Sequence, residues 1–168
     1  MSISATARHR QVLAPPEEYL EVGFNYRMTD LQAAVGLVQL DRLDRIVLRR
    51  RELAARYAAG LVGIDGLRLV ADPADGESNK QSCWLEVLPP FPVGRDNLLR
   101  HLADAGISAR RGIMAVHRQP PYRAGDHGDS PLTVTKRLTD GTLILPLFHQ
   151  MTTEQQDRVV ASIRELVA

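Results

Sequence analysis

From Thr29 to Leu61 the sequence runs without a proline, and its apolar residues keep near-helical spacing: Leu31, Ala34, Val35 and Val38, then Leu43, Ile46 and Val47, then Leu53 and Tyr57. Thr29-Asp30-Leu31-Gln32 reads as a capping box. In it the threonine hydroxyl takes one free backbone N–H at the helix start, and the glutamine three residues on reaches back. Gly60 and Gly63 supply the stop. A helix of ~30 residues is ~45 Å long. That exceeds the width of the single domain that 168 residues suggest. The helix must bridge two bodies, break in two, or lie against a partner, and we expect a bend around residues 40–44.

Around this element the texture changes. Residues 1–24 lack periodicity and contain Pro15-Pro16. After the helix, 67–70 and 81–88 read as short strands, the second mostly buried, and 95–105 as an amphipathic helix carrying Leu98, Leu99 and Leu102. A strand is expected within 107–113 and a loop rich in Pro, Gly and Asp over 117–130. A helix then starts at Ser130-Pro131 and runs to about Asp140-Gly141. Residues 143–145 form a short strand. Thr152-Thr153-Glu154-Gln155 is a second capping box, opening a last helix that buries Val159, Val160, Ile163, Leu166 and Val167. The expected fold class is α/β: a long N-terminal helix followed by a small α/β sandwich, a mixed sheet with helices on one face. Three parts are expected: an irregular segment 1–28, the long helix 29–62, and a small α/β domain 63–168.

Several function classes lose their support on composition. Twenty-one basic residues balance twenty acidic ones, giving a net charge of +1 and no field for a polyanion. The run Arg49-Arg50-Arg51 shares its helix with Asp41, Asp44 and Glu52, which suits a solvated or interface face better than nucleic acid. A single cysteine, Cys83, sits in an apolar strand, where a thiol is usually a small core residue. His117, Asp126, His127, Asp129 and His149 lack helical or short-motif spacing, so no metal site is expected. There is no apolar run of membrane-spanning length and no secretory leader pattern, and the cytoplasm is the expected compartment. Only two lysines exist, Lys80 and Lys136, so chemistry that needs an amine has two candidates.

Gly23-Phe24-Asn25-Tyr26-Arg27-Met28-Thr29-Asp30 stands apart, because it places an amide, a phenol and a guanidinium immediately before a helix start. Backbone donors at such a start, with a guanidinium beside them, suit an anion such as phosphate. The alternative is a plain surface loop in which Arg27 pairs with Asp30.

Residues 23–36, followed by Gln39-Leu40 and Arg49-Arg50-Arg51-Glu52-Leu53-Ala54, resemble the DegT/DnrJ/EryC1/StrS aminotransferases, pyridoxal-phosphate (PLP)-dependent sugar aminotransferases of fold type I. Later pieces agree in order: Trp84, Arg95-Asp96, Gly106-Ile107, residues 110–114, residues 117–120 with Tyr122, Leu145-Pro146-Leu147, and Met151-Thr152. The resemblance implies that 63–168 is like the small domain of fold type I enzymes. It assigns cofactor-phosphate contact, across a dimer, to Asn25, Tyr26 and Arg27, and the substrate end of the site to Arg111, His117 and Tyr122. Arginine and histidine there suit a nucleotide-sugar diphosphate or sugar hydroxyls.

The resemblance also places the family's Schiff-base lysine upstream of this chain's first residue. With it lie the aspartate that pairs with the pyridine nitrogen and the aromatic residue stacked on the ring; Met1-Ser2 already resembles an interior stretch. Neither Lys80 nor Lys136 has the Ser/Gly-rich surroundings of the family lysine. The expectation is the C-terminal part of an aminotransferase that does not transaminate alone, as a truncated chain or one half of a split enzyme. It would meet the cofactor only through a partner or the missing large domain. The alternative is a non-catalytic binding or scaffolding module derived from the small domain. Either way a homodimer, or a lysine-bearing partner chain, is expected to bury Leu31, Val35 and Val38.

Overall fold

The computed structural model describes residues 26–113, 115–118 and 131–167. The chain divides into two compact units, Met1–Leu40 and Asp41–Ala168.

Helix α1 spans Asp30–Leu61. Its capping box forms as the sequence predicts: Gln32 N–H donates to Thr29 Oγ1 (3.3 Å), and Thr29 N–H donates to Gln32 Oε1 (3.0 Å). The helix is continuous through residues 40–44, where no proline or glycine occurs. In the first unit the apolar positions of α1 are open to solvent: Leu31 is 81% exposed, Val35 63% and Val38 58%.

The second unit is built on a four-stranded sheet with strand order β1-β2-β4-β3: β1 Leu67–Leu69, β2 Cys83–Val87, β3 Arg110–Arg111 and β4 Thr142–Leu145. Every neighbouring pair is antiparallel. The expected mixed sheet is therefore corrected. Strand β2, helix α2 (Arg95–Asp104) and β3 form a crossover whose two strands run the same way, but β4 inserts between them and pairs antiparallel with both.

Alternation along the strands sorts the two faces. Cys83 and Leu85 of β2 and Leu143 and Leu145 of β4 enter the core. There they meet Leu98 and Leu102 of α2, Val159 and Ile163 of α4 (Thr153–Arg164), and Leu53, Tyr57 and Leu61 of α1. Each such side chain contributes roughly 1.5–3 kcal/mol by leaving water. Tyr57 is fully buried, and its hydroxyl donates to the Pro146 carbonyl (2.9 Å). The cap of α4 forms on Thr152 and Gln155 as expected. Val160 and Leu166 pack partly buried against the core, while Val167 is exposed rather than buried, since α4 ends at Arg164.

The opposite face carries Arg68, Trp84, Glu86, Thr142 and Ile144, and it is served by helix α3, Thr133–Gly141. Helices on one face alone is thus a second correction: Glu86, completely buried, accepts from Arg68 of β1 and from Arg137 of α3 (2.5 Å). The two guanidinia make burial of that carboxylate tolerable and pin α3 to the sheet. Helix α3 begins at Thr133, with Leu132 in the left-handed conformation as its cap (φ 47°), rather than at Ser130-Pro131; Ser130 lies outside the described residues.

The arginine run is neither a simple solvated face nor a nucleic-acid stripe. Arg49 donates to the Met151 carbonyl (3.1 Å) and Arg51 to the Ser78 carbonyl (2.9 Å). Arg50 donates to the carbonyls of Lys80 (2.8 Å), Gln81 (2.6 Å) and Leu147 (3.2 Å). These bonds tie α1 to the loop ahead of β2 and to the chain that follows β4. Cys83 is a core thiol as expected: burial pushes its pKa up to about 12, so it is not a thiolate near neutrality.

Candidate functional site

The resemblance named six site residues, and the structure describes four of them. Asn25 and Tyr122 lie outside the described residues. Tyr26 (86% exposed) and Arg27 stand open to solvent, three and two residues ahead of Thr29. The backbone contribution expected at this helix start is partly used: the Gln32 N–H is taken by Thr29, and the Ala33 N–H bonds the Thr29 carbonyl (2.9 Å).

In the second unit, Arg111 sits on the edge strand β3. Its register partner is Leu143, which places it on the face of the sheet that carries α2. There its guanidinium pairs with Asp96 in the first turn of α2 (Nη2–Oδ2 3.0 Å). Arg95, one residue earlier, is mostly buried; it also pairs with Asp96 and donates to the carbonyls of Thr139 and Thr142 (both 3.3 Å). An open cleft of about 790 Å³ is lined by these arginines with Arg110, Gly112 and Asp140. At its far wall Asp140 takes both Nη groups of Arg118 (2.5 and 2.8 Å). Arg118 ends the 3-10 turn Val116–Arg118, whose middle residue is His117.

The structure thus brings Arg111 into a cleft. His117 is not among the residues that line it; its turn is tied to the cleft through Arg118 and Asp140. Gly112, just after β3, is a tight point, because a Cβ there would overlap Thr142 Oγ1 and come within 2.8 Å of the Trp84 ring. Only a glycine lets the edge strand pass beneath that indole.

The charges alternate around the cleft. Burial acts to raise the Asp96 carboxyl, but the hydrogen bond from Arg111 and the charges of Arg95 and Arg111 outweigh it and hold Asp96 below the usual carboxylate range. The hydrogen bond from Arg118 does the same for Asp140, helped by the charges of Arg118 and Arg95. Both carboxylates are ionised at neutral pH and act as anchors for guanidinia. Arg110 was not singled out from sequence. Reading 110–111 as one arginine pair hides that alternation sends the two side chains to opposite faces: Arg110 pairs in register with Ile144, on the Trp84 face.

The structure describes both lysines. Lys80, with a left-handed backbone (φ 51°), is ion-paired with Asp72, and Lys136 is exposed on α3. Among the described residues no helix is long and apolar enough to cross a membrane.

Comparison with known proteins agrees with this architecture. The family model of the DegT/DnrJ/EryC1/StrS aminotransferase family matches residues 4–164. A UDP-4-amino-4-deoxy-L-arabinose–oxoglutarate aminotransferase of Shewanella sediminis is 31% identical over 177 aligned positions, covering 99% of this chain and 45% of that protein. Among solved structures, the aminotransferase TlmJ of Streptoalloteichus hindustanus superposes with a TM-score of 0.75 at 30% identity, over 89% of this chain and 39% of that one. DesV of S. venezuelae, solved in complex with a ketimine intermediate, gives 0.79 at 28% identity, over 88% and 39%. The chain spans less than half the length of these relatives. With the family pattern running through nearly all of its residues and the same fold beneath it, the chain belongs to the DegT/DnrJ/EryC1/StrS aminotransferase family.

Proposed function

We propose that these residues form the small-domain part of a PLP-dependent sugar aminotransferase acting on a nucleotide-linked sugar, and that they supply binding groups rather than the amine that holds the cofactor. The observation that carries this reading is one of extent. The family pattern fills residues 4–164, yet the chain spans 45% of the Shewanella relative and 39% of TlmJ. The positions of Lys80 and Lys136 support it, because an ammonium paired with Asp72 and one on an exposed helix face are poorly placed to become a covalent anchor.

The donor set fits the cofactor's phosphate end. Arg27 and Tyr26 offer a guanidinium and a phenol to an anion, and Asn25 adds an amide in the same loop. Bound PLP supplies the electron sink for amino transfer. Arg111, His117 and Tyr122 take the substrate end in this reading, with Asp96 holding the Arg111 guanidinium in place. The exposed side chains of Leu31, Val35 and Val38 are covered by a second copy or by a lysine-bearing partner chain.

The test begins with the chain alone: PLP titration, borohydride reduction and intact mass. No stoichiometric adduct is expected. A reducible adduct on Lys80 or Lys136 would mean that the chain carries its own anchor and would overturn the reading. Co-expression with the lysine-bearing remainder of a relative should then give a complex that binds PLP, and Arg27→Gln should weaken that binding about tenfold, the loss of one charged hydrogen bond. Light scattering that shows a monomer at all concentrations, with and without that remainder, would remove the proposed cover for α1.

A further inference from the structure

A second cleft, of about 330 Å³, lies between α1, the start of β2 and β3; it shares Arg110 with the first cleft but contains none of the six site residues that the resemblance named. Arg50 and Arg110 line it together with Gln81, Ser82 and Ser108, and no aspartate or glutamate is among its lining residues. Its two cations differ in a telling way. Arg50 is held rigidly: Nε donates to the Lys80 carbonyl and Nη2 to those of Gln81 and Leu147. Those bonds leave its Nη1 without a hydrogen bond among the described residues. Arg110 has no hydrogen bond or ion pair at all among the described residues. Arg42 and Arg45 of α1 likewise have no hydrogen bond or ion pair among the described residues, whereas Arg49, Arg51, Arg56, Arg95, Arg111 and Arg137 each donate to a carbonyl or a carboxylate.

Two positive charges lining one cleft, with no acid among its lining residues, create a local field that favours a doubly charged anion over a single charge. A guanidinium fixed by three carbonyls loses little freedom on binding, so part of the ordering cost is met before a ligand arrives. The Ser108 hydroxyl adds a donor that forms no other hydrogen bond among the described residues, and the Gln81 amide adds more. The volume, about 330 Å³, sits at the lower end of the roughly 300–1,000 Å³ typical of small-molecule sites, which suits a small organic acid.

We infer that this cleft binds a small dianionic metabolite, its charges carried by carboxylate or phosphate, between Arg50 and Arg110. The inference goes beyond the proposed function and does not depend on it.

The 168-residue chain is titrated with succinate, inorganic phosphate and acetate while amide chemical shifts are followed, with ionic strength held constant by sodium chloride. Saturable shifts at Ser82, Ser108 and Arg110 are expected, with at least one dianion bound tenfold or more tightly than acetate. The dianion that saturates first identifies carboxylate or phosphate as the natural chemistry. Arg110→Gln removes no contact within the described protein, so its melting temperature should match that of the parent while dianion affinity falls at least tenfold. Arg110→Lys should recover part of it. Shifts that do not saturate above the chloride control, acetate binding as tight as the dianions, or an Arg110→Gln variant with unchanged affinity would each overturn the inference.

Discussion

The two ends of α1 obey the same helical grammar and meet opposite fates. Toward its start, Leu31, Val35 and Val38 repeat at helical spacing and stay exposed; toward its end, Leu53, Tyr57 and Leu61 repeat likewise and are buried. The capping boxes make the same contrast. Thr29 with Gln32, and Thr152 with Gln155, form the same reciprocal pair of bonds, yet one opens an exposed stretch of helix and the other a helix packed into the core. Periodicity therefore reports that a face is built for burial, whereas only tertiary packing decides what buries it.

The largest test of that contrast is truncation in each half. Tyr57→Ala should cost about 3–5 kcal/mol in urea unfolding, because it empties a fully buried site. Leu31→Ala in the same dilute chain should stay within about 0.5 kcal/mol. If the Leu31→Ala cost grows with protein concentration, the first half is covered by a partner in solution; if it matches Tyr57→Ala at every concentration, the contrast is wrong. Next in size, Arg50→Gln should lose roughly 2 kcal/mol with its three carbonyl partners, measured in the same way. Arg45→Gln, with no partner among the described residues, should be close to neutral. Smaller again, Thr152→Ala should lower global stability by about 1 kcal/mol. Thr29→Ala should speed amide exchange in the first turn of α1 and leave the unfolding midpoint unchanged.

The pH dependence is the subtlest test. Asp72, Asp96 and Asp140 all have folded pKa values below the ordinary 3.8. Asp72 owes this first to its hydrogen bond from Lys80. Their contribution is present above that value and fades as pH falls through the lower folded values, so the melting temperature should decline below about pH 4, and less in Asp140→Asn. Burial raises the pKa values of Tyr57 and Cys83, so stability should also fall as pH climbs above their unfolded values of 10 and 9. Cys83→Ala should blunt that alkaline loss.

Much of the fold was legible because its signals are local. Both capping boxes, the span of α1, the buried strand around Leu85 and the helix carrying Leu98 and Leu102 follow from residues adjacent in sequence or one turn apart. The strand order did not follow, since inserting β4 between β2 and β3 is a long-range choice that alternation of strands and helices does not encode. Glu86 shows the same limit. A glutamate in an apolar strand gives no hint that Arg68, eighteen residues before it, and Arg137, fifty-one after it, converge on its carboxylate. At the candidate site, motif resemblance singled out Arg111 but not Arg110, because the difference between them is which face of β3 each side chain occupies.

The sheet's two borders have a consequence for how this chain behaves in a crowded solution. Strands β1 and β3 are three and two residues long, and β3 consists of two arginines. Among the described residues, borders that short offer a neighbouring molecule almost no ladder to extend. The chain carries an uncovered apolar helix face, yet its sheet is guarded against edge-to-edge polymerisation. Self-association, where it occurs, is steered away from fibres and toward helix packing.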